Sequence, residues 1–134
     1  MKAAILIVGD DPALLETRAA LLKAWHVTTT TDEHAIEAIR STTHDLIIFC
    51  QTIPDATAQT LIEQAREMNP HVVTLALKHP GQERILDDAK QFEVQITKPE
   101  RLLIVVDRLL QSPSFKSSDE ERAKLPSDRE RETM

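Results

Sequence analysis

The amino-acid sequence predicts an α/β fold built around a parallel β-sheet. Short β-rich runs alternate along the chain with stretches in which apolar residues recur at helical spacing. Three of the β-rich runs are almost continuously apolar, as is typical of parallel strands that are covered on both faces. The chain has 134 residues, which is the size of one domain with a single core.

Five segments are predicted to be strands. The first, third and fourth are the apolar ones. The second is rich in threonine and the fifth alternates polar and apolar residues, so both are expected at the edges of the sheet. In chain order the predicted strands are Ala3–Val8, His26–Thr31, Asp45–Cys50, His71–Leu77 and Glu93–Thr97.

Helices are predicted between these strands and after the last one. Proline suits the first turn of a helix, and both Pro12 and Pro99 stand where a helix is expected to begin. The predicted helices are Pro12–Trp25, Glu33–Ser41, Ala56–Met68, Gln82–Phe92 and a last helix from Pro99. The first of them has a stripe at spacings of three and four, formed by Leu14, Leu15, Arg18, Leu21, Leu22 and Trp25.

Right-handed crossovers and burial of the first strand favour the strand order 2-1-3-4-5. This is a flavodoxin-like three-layer fold with five helices. Ligands of such sheets bind beyond the carboxyl ends of the strands, near the switch between the first and third strands. The residues expected at these ends are Gly9, Asp10, Asp11, Cys50, Leu77, Lys78 and Lys98.

The predicted domain covers residues 1–111, and residues 112–134 are predicted to be a charged, disordered tail. The net charge of −6 and the lack of a basic stripe argue against binding to nucleic acid. A single cysteine excludes an internal disulfide. No apolar run reaches the roughly 18 residues of a membrane span, and the apolar start is too short for a signal peptide, so a cytoplasmic location is expected.

Several motifs occur in the order typical of response-regulator receiver domains of two-component signalling. Ile5–Pro12 resembles their first strand and acidic loop. Asp45–Cys50, followed by Pro54, resembles the strand that carries the phosphoacceptor, and Lys98 with Pro99 resembles the lysine-proline pair after the fifth strand. The resemblance covers about residues 3–111. It implies the receiver fold and a role in phosphorelay signalling.

This resemblance also shows where the sequence departs from the family. Receiver domains have, at the end of the third strand, the aspartate that accepts the phosphoryl group, and here that residue is Cys50. A thiol cannot form an acyl phosphate. Gly9 falls on the first of two family acids, Asp10 on the second, and Asp11 on the next position, which is often acidic. The chain is therefore interpreted as a degenerate receiver, a pseudo-receiver.

The two switch positions of the family differ as well. The switch serine or threonine corresponds to Lys78, or to Leu77 if the alignment slips by one residue. The aromatic switch residue corresponds to Gln95. Neither lysine nor leucine can donate the usual hydroxyl hydrogen bond to a phosphoryl oxygen, and glutamine does not bury as an aromatic ring does.

Receiver chemistry also needs a magnesium ion held by carboxylates and a lysine that stabilises phosphoryl oxygens. Asp10 and Lys98 remain, but two of the three carboxylates are gone. Because Mg²⁺ requires hard oxygen ligands, its binding is expected to be weak or absent, and no other cofactor is expected. Asp10 is expected to form an ion pair with Lys78 or Lys98 instead.

These inferences predict a single-domain signalling protein that acts by phosphorylation-independent protein–protein contact and is not an enzyme. The expected partner is a sensor kinase or an output protein. A homodimer is also plausible through the face formed by the fourth helix, the fifth strand and the last helix. The charged and polar residues of that face are Asp87, Asp88, Lys90, Glu93, Gln95, Arg101 and Asp107.

Three alternative functions require different features of the sequence. A conventional phosphorelay receiver would need another acceptor, and Asp55 is expected to be a solvated loop acid instead. A redox sensor would use Cys50, with its pKa lowered by Lys98. A cofactor enzyme on the same fold needs a glycine-rich phosphate loop, but the loop Gly9–Pro12 is acidic and the chain has only two glycines.

Overall fold

The protein is described by a computed structural model, which covers residues 3–86, 89–94 and 99–111. Five parallel strands form one sheet in the order 2-1-3-4-5, which confirms the predicted topology. Four of the predicted strands overlap the observed ones closely. The strands are β1 Ala4–Val8, β2 His26–Thr30, β3 Leu46–Phe49, β4 Val73–Lys78 and β5 Lys90–Glu93.

Four α-helices lie within the described residues, one fewer than predicted. They are α1 Pro12–Leu21, α2 Ala35–Ser41, α3 Asp55–Met68 and α4 Glu100–Leu110. Pro12 stands in the first turn of α1, and the side chain of Asp11 caps that helix by accepting a 3.0 Å hydrogen bond from the N–H of Ala13.

The core consists of two apolar layers, one on each face of the sheet. Because side chains alternate along a strand, Ile5 and Ile7 of β1 pack on one face and Leu6 and Val8 on the other. The first face is covered by α1 and α4, and the second by α2 and α3. Every apolar residue of β3 is at most 1% exposed, as the apolar run predicted.

The predicted helix Gln82–Phe92 is wrong. Residues 82–86 have no regular secondary structure, and β5 begins at Lys90, three residues before the predicted fifth strand. Residues 95–97 of the predicted fifth strand lie outside the described residues. Leu86, Ala89 and Phe92 have helical spacing in the sequence, but the first two pack on the second face of the sheet and Phe92 packs on the first. Pairing with β4, which places Phe92 beside Leu77, overrides the local pattern.

The surface proposed for self-association is described in part. Lys90, Glu93, Arg101 and Asp107 are exposed, whereas Asp87, Asp88 and Gln95 lie outside the described residues. The predicted tail, residues 112–134, lies outside them too, so the boundary after residue 111 stays a prediction. None of the helices in the described ranges is long and apolar enough to cross a membrane.

One ionisable side chain is buried far from the carboxyl ends of the strands. His44 precedes β3, is 5% exposed and lines a small cavity with Ile39 and Val72. Asn69 of the α3–β4 turn donates a 3.0 Å hydrogen bond to its carbonyl oxygen. Burial lowers the pKa of His44 below its ordinary value of 6.5, and the nearby carboxylate of Asp45 opposes this shift only in part.

The fold should therefore lose stability at mildly acidic pH. The folded state favours the neutral imidazole, whereas the unfolded chain takes up a proton as the pH falls below 6.5. The contribution of His44 is complete above that pH and decreases below it, until the folded-state imidazole is protonated as well. Urea unfolding of the wild type and His44→Gln, compared between about pH 5 and pH 8, should show a steeper loss for the wild type.

The matched control is His71→Gln, which changes an exposed histidine in the turn after α3. It should keep the pH dependence of the wild type. Parallel stability curves for the wild type and His44→Gln would contradict the assignment to His44.

Candidate functional site at the carboxyl ends of the strands

Cys50 lies at the carboxyl end of β3, beside the end of β1. Its N–H donates a 2.9 Å hydrogen bond to the carbonyl of Val8. The residue is only 2% exposed and its side chain belongs to the apolar layer that contains Leu15 and Leu77. The thiol therefore occupies the core and does not open onto solvent.

A buried arginine contacts this thiol. Nη1 of Arg18, on α1, donates a 2.9 Å hydrogen bond to Sγ of Cys50, and Arg18 is 8% exposed. The sequence carried a signal for this contact, since Arg18 interrupts the apolar stripe of the first helix at a position that faces inward. The helical pattern does not identify Cys50 as the partner, because the two residues lie 32 positions apart in the chain.

The surroundings of Cys50 keep its thiol protonated. Burial raises its pKa, and the carboxylates of Asp10 and Asp11 add to this effect, whereas the guanidinium of Arg18 opposes it. Reactivity of a cysteine depends on its thiolate form and on its exposure. Both features disfavour the redox-sensor hypothesis. Lys98, which that hypothesis used to lower the pKa, lies outside the described residues.

Gly9 provides the space that the thiol occupies. A Cβ atom built on Gly9 would lie 2.9 Å from Sγ of Cys50 and 3.1 Å from Cδ2 of Leu15. Any side chain at residue 9 would have to displace the sulfur or the leucine. Residues 9 and 50 are thus sterically linked.

Asp10 and Asp11 are both exposed and have separate partners. Oδ1 of Asp10 accepts a 2.6 Å hydrogen bond from the hydroxyl of Thr52, and Asp11 caps α1. The predicted ion pair between Asp10 and Lys78 is not formed, and the partner of Asp10 is Thr52. Lys78 is half-buried at the end of β4. The alternative pairing with Lys98 and the switch position Gln95 fall outside the described residues.

Metal ligands do not cluster in the described ranges. Within residues 3–86, 89–94 and 99–111, no three histidine, cysteine, aspartate or glutamate side chains are placed to hold one ion. The two neighbouring acids of the first loop are instead directed to a hydroxyl and to a helix N-terminus.

A second buried arginine, Arg84, binds the ends of β3 and β4, and sequence reasoning missed it. Its Nη1 donates to the carbonyls of Leu77, at 2.9 Å, and Cys50, at 3.3 Å. Nη2 donates to the carbonyl of Ile53. Nε donates to Oδ1 of Asp55 at 2.8 Å, which makes a salt bridge whose arginine side chain is 0% exposed. No local sequence pattern indicates that Arg84 is buried. The pattern of its segment predicts an amphipathic helix instead.

Asp55 is not the solvated loop acid that the sequence predicted. It is the first residue of α3, and its side chain is 35% exposed. Its second oxygen accepts a 2.9 Å hydrogen bond from the N–H of Ile85. This backbone hydrogen bond and the contact with Arg84 lower the pKa of Asp55. The salt bridge with Arg84 and the hydrogen bond from Ile85 join Asp55 to the β4–β5 connection.

No protein-family model and no curated protein sequence matches the chain. Among solved structures it resembles a response regulator receiver protein from Sinorhizobium medicae, with 24% identity, a TM-score of 0.65 and coverage of 83% of this chain and 96% of that one. It also resembles the chemotaxis protein CheY4 of Vibrio cholerae, with 19% identity, a TM-score of 0.65 and coverage of 82% and 100%.

A third similar chain comes from a crystal structure of histidine kinase ThkA in complex with response regulator protein TrrA. It has 22% identity, a TM-score of 0.65 and coverage of 83% of this chain and 100% of that one. The similarity thus extends over nearly the whole length of each of these three chains. It establishes that this chain has the fold of CheY-like receiver domains.

The steric link between residues 9 and 50 predicts a non-additive pair of substitutions. Gly9→Ala should lower the free energy of unfolding by about 1–3 kcal/mol, because the new methyl group overlaps Sγ of Cys50. The loss should be smaller in a Cys50→Ala background, where the sulfur is absent. Urea unfolding of the four proteins gives the coupling energy. Equal losses in both backgrounds would show that Leu15 alone limits residue 9.

Proposed function

We propose that this chain is a receiver-like protein of two-component signalling that acts through phosphorylation-independent protein–protein contact and accepts no phosphoryl group. The observation that carries the proposal is the side chain at the end of β3. It is a thiol, 2% exposed, that accepts a hydrogen bond from a buried guanidinium. A protonated, enclosed thiol has neither the carboxylate oxygen nor the access that phosphoryl transfer to this position requires.

The acids near this position support the same proposal. Asp10 accepts a hydrogen bond from Thr52, and Asp11 caps α1. A conventional receiver needs a nucleophilic carboxylate and a second group of carboxylates for magnesium. The proposal therefore includes no bound cofactor and no catalytic activity.

Asp55 is poorly suited to act as a substitute acceptor. One carboxylate oxygen accepts from Nε of Arg84 and the other from the N–H of Ile85. Attack on phosphorus would require at least one of these contacts to break. The lowered pKa of Asp55 also means that its carboxylate is a weaker nucleophile than a free one.

The proposed partner is a protein of the same signalling class. TrrA, in the structure noted above, is in complex with a histidine kinase. For this chain we infer binding to a sensor kinase or to an output protein, in the cytoplasm. With a net charge of −6 the chain is not suited to nucleic acid, and direct DNA binding is not part of the proposal.

The chemical half of the proposal predicts that phosphoryl donors leave the protein unmodified. Purified protein is incubated with acetyl phosphate and Mg²⁺, and its intact mass is measured, with a receiver domain known to accept the donor in a parallel tube. The expected mass is that of the untreated chain, because no accessible carboxylate ends β3. An added phosphoryl group that is lost in Asp55→Asn or Asp10→Asn would overturn the proposal and identify the acceptor.

The proposed action by protein–protein contact predicts self-association through the exposed charges of β5 and α4. Lys90 and Arg101 are positive and Glu93 and Asp107 are negative, so two copies can pair opposite charges. The mass from light scattering should rise with protein concentration toward that of a dimer, and added salt should reduce it.

Arg101→Glu should weaken this association. The matched control is Arg40→Glu, the same charge reversal at an exposed residue of α2, on the other face of the sheet. A monomeric mass at every concentration, or equal loss in both variants, would rule out this surface as a dimer interface.

A further inference from the structure

The segment that follows β4 is fixed to the sheet by polar contacts more than by packing. Residues 82–86 have no regular structure, and Ile85 is 83% exposed. Only Leu86, which is half-buried, packs against an apolar layer. Yet the side chain of Arg84, in the middle of this segment, is completely buried. A buried guanidinium requires hydrogen-bond partners for its donors, and here the partners show what it holds.

The four acceptors of Arg84 belong to separate parts of the chain. The carbonyl of Leu77 is in β4, that of Cys50 ends β3, and that of Ile53 is in the following loop. The carboxylate of Asp55 begins α3. One side chain therefore connects the carboxyl ends of two neighbouring strands to the helix that follows the first of them.

Further hydrogen bonds attach the backbone of the segment. Asp55 accepts from the N–H of Ile85 at 2.9 Å, so the same carboxylate binds the side chain of Arg84 and the backbone next to it. Gln91 of β5 donates a 3.0 Å hydrogen bond to the carbonyl of Arg84. Both polar groups of the peptide bond between residues 84 and 85 are thereby hydrogen-bonded.

We propose that Arg84 and Asp55 form a latch that holds residues 79–86 across the carboxyl ends of β3 and β4. The latch is defined as this salt bridge together with the hydrogen bonds from Arg84 to the three carbonyls and from Ile85 to Asp55. It fixes one conformation at the end of the sheet where the candidate site lies, and it holds the exposed Ile85 in one position. This inference does not depend on the proposed function.

Hydrogen exchange of the full chain tests the latch. Arg84→Met keeps a long side chain but removes every donor, and Asp55→Asn keeps an acceptor oxygen but removes the charge. In both variants the amides of residues 79–86 should exchange at least about ten times faster, whereas the amides of β1 and β3 should keep their protection. Arg40→Met, at an exposed arginine of α2 outside the proposed self-association surface, is the matched control and should leave residues 79–86 unchanged.

Two results would overturn the latch. Unchanged exchange of residues 79–86 in Asp55→Asn would show that the salt bridge between Arg84 and Asp55 does not hold the segment. Faster exchange of all strands by the same factor would show that the residues stabilise the whole fold without a local role. Should Arg84→Met fail to fold, Asp55→Asn decides between these outcomes alone, since it leaves the three carbonyl contacts of Arg84 possible. None of these outcomes bears on phosphoryl transfer, so the latch and the proposed function fail independently.

Discussion

The close packing of Gly9, Cys50 and Arg18 is the constraint on which the candidate site depends. The thiol fits because residue 9 has no side chain, and it accepts a hydrogen bond from a guanidinium that is 8% exposed. Burying a guanidinium without a carboxylate partner is unfavourable, on the order of several kcal/mol. Burial raises the pKa of the Cys50 thiol, the guanidinium of Arg18 opposes this shift, and the carboxylates of Asp10 and Asp11 add to it. The buried cation and the exposed acids therefore act in opposite directions on the thiol.

Two arginines approach residue 50 and do different things there. Arg18 contacts the side chain, and Arg84 contacts the backbone carbonyl. Arg84 has a carboxylate partner, Asp55, and Arg18 has a weak sulfur acceptor. A salt bridge whose arginine is buried is costly to break, because removal of one partner leaves a charge without compensation. The strand ends are consequently held by internal cations in one arrangement, as the proposed function through a fixed contact surface requires.

The sequence predicted the sheet well because the relevant information is local. The apolar runs of β1, β3 and β4 and the short motifs at their ends are each contained in a few residues, so strand order, Cys50 and the acidic loop were found. The failures arise from contacts between distant segments. Leu86, Ala89 and Phe92 imitate one helical face, although they pack on opposite faces of the sheet. Arg84 and Asp55 lie 29 positions apart, and Arg18 and Cys50 lie 32 apart, so neither pair leaves a pattern in the sequence.

The same contacts explain why the departures from the receiver pattern belong together. An aspartate at residue 50 would place a carboxylate within hydrogen-bonding distance of Nη1 of Arg18, and the guanidinium would bind the very oxygens that phosphoryl transfer needs. An acid at residue 9 would overlap the thiol and Leu15. Restoring either acid alone therefore meets a side chain that occupies its space or neutralises its charge. Phosphoryl chemistry at residue 50 would therefore require changes at residues 9, 18 and 50 at once, because the thiol of Cys50 fills the space beside Gly9 and accepts a hydrogen bond from Arg18.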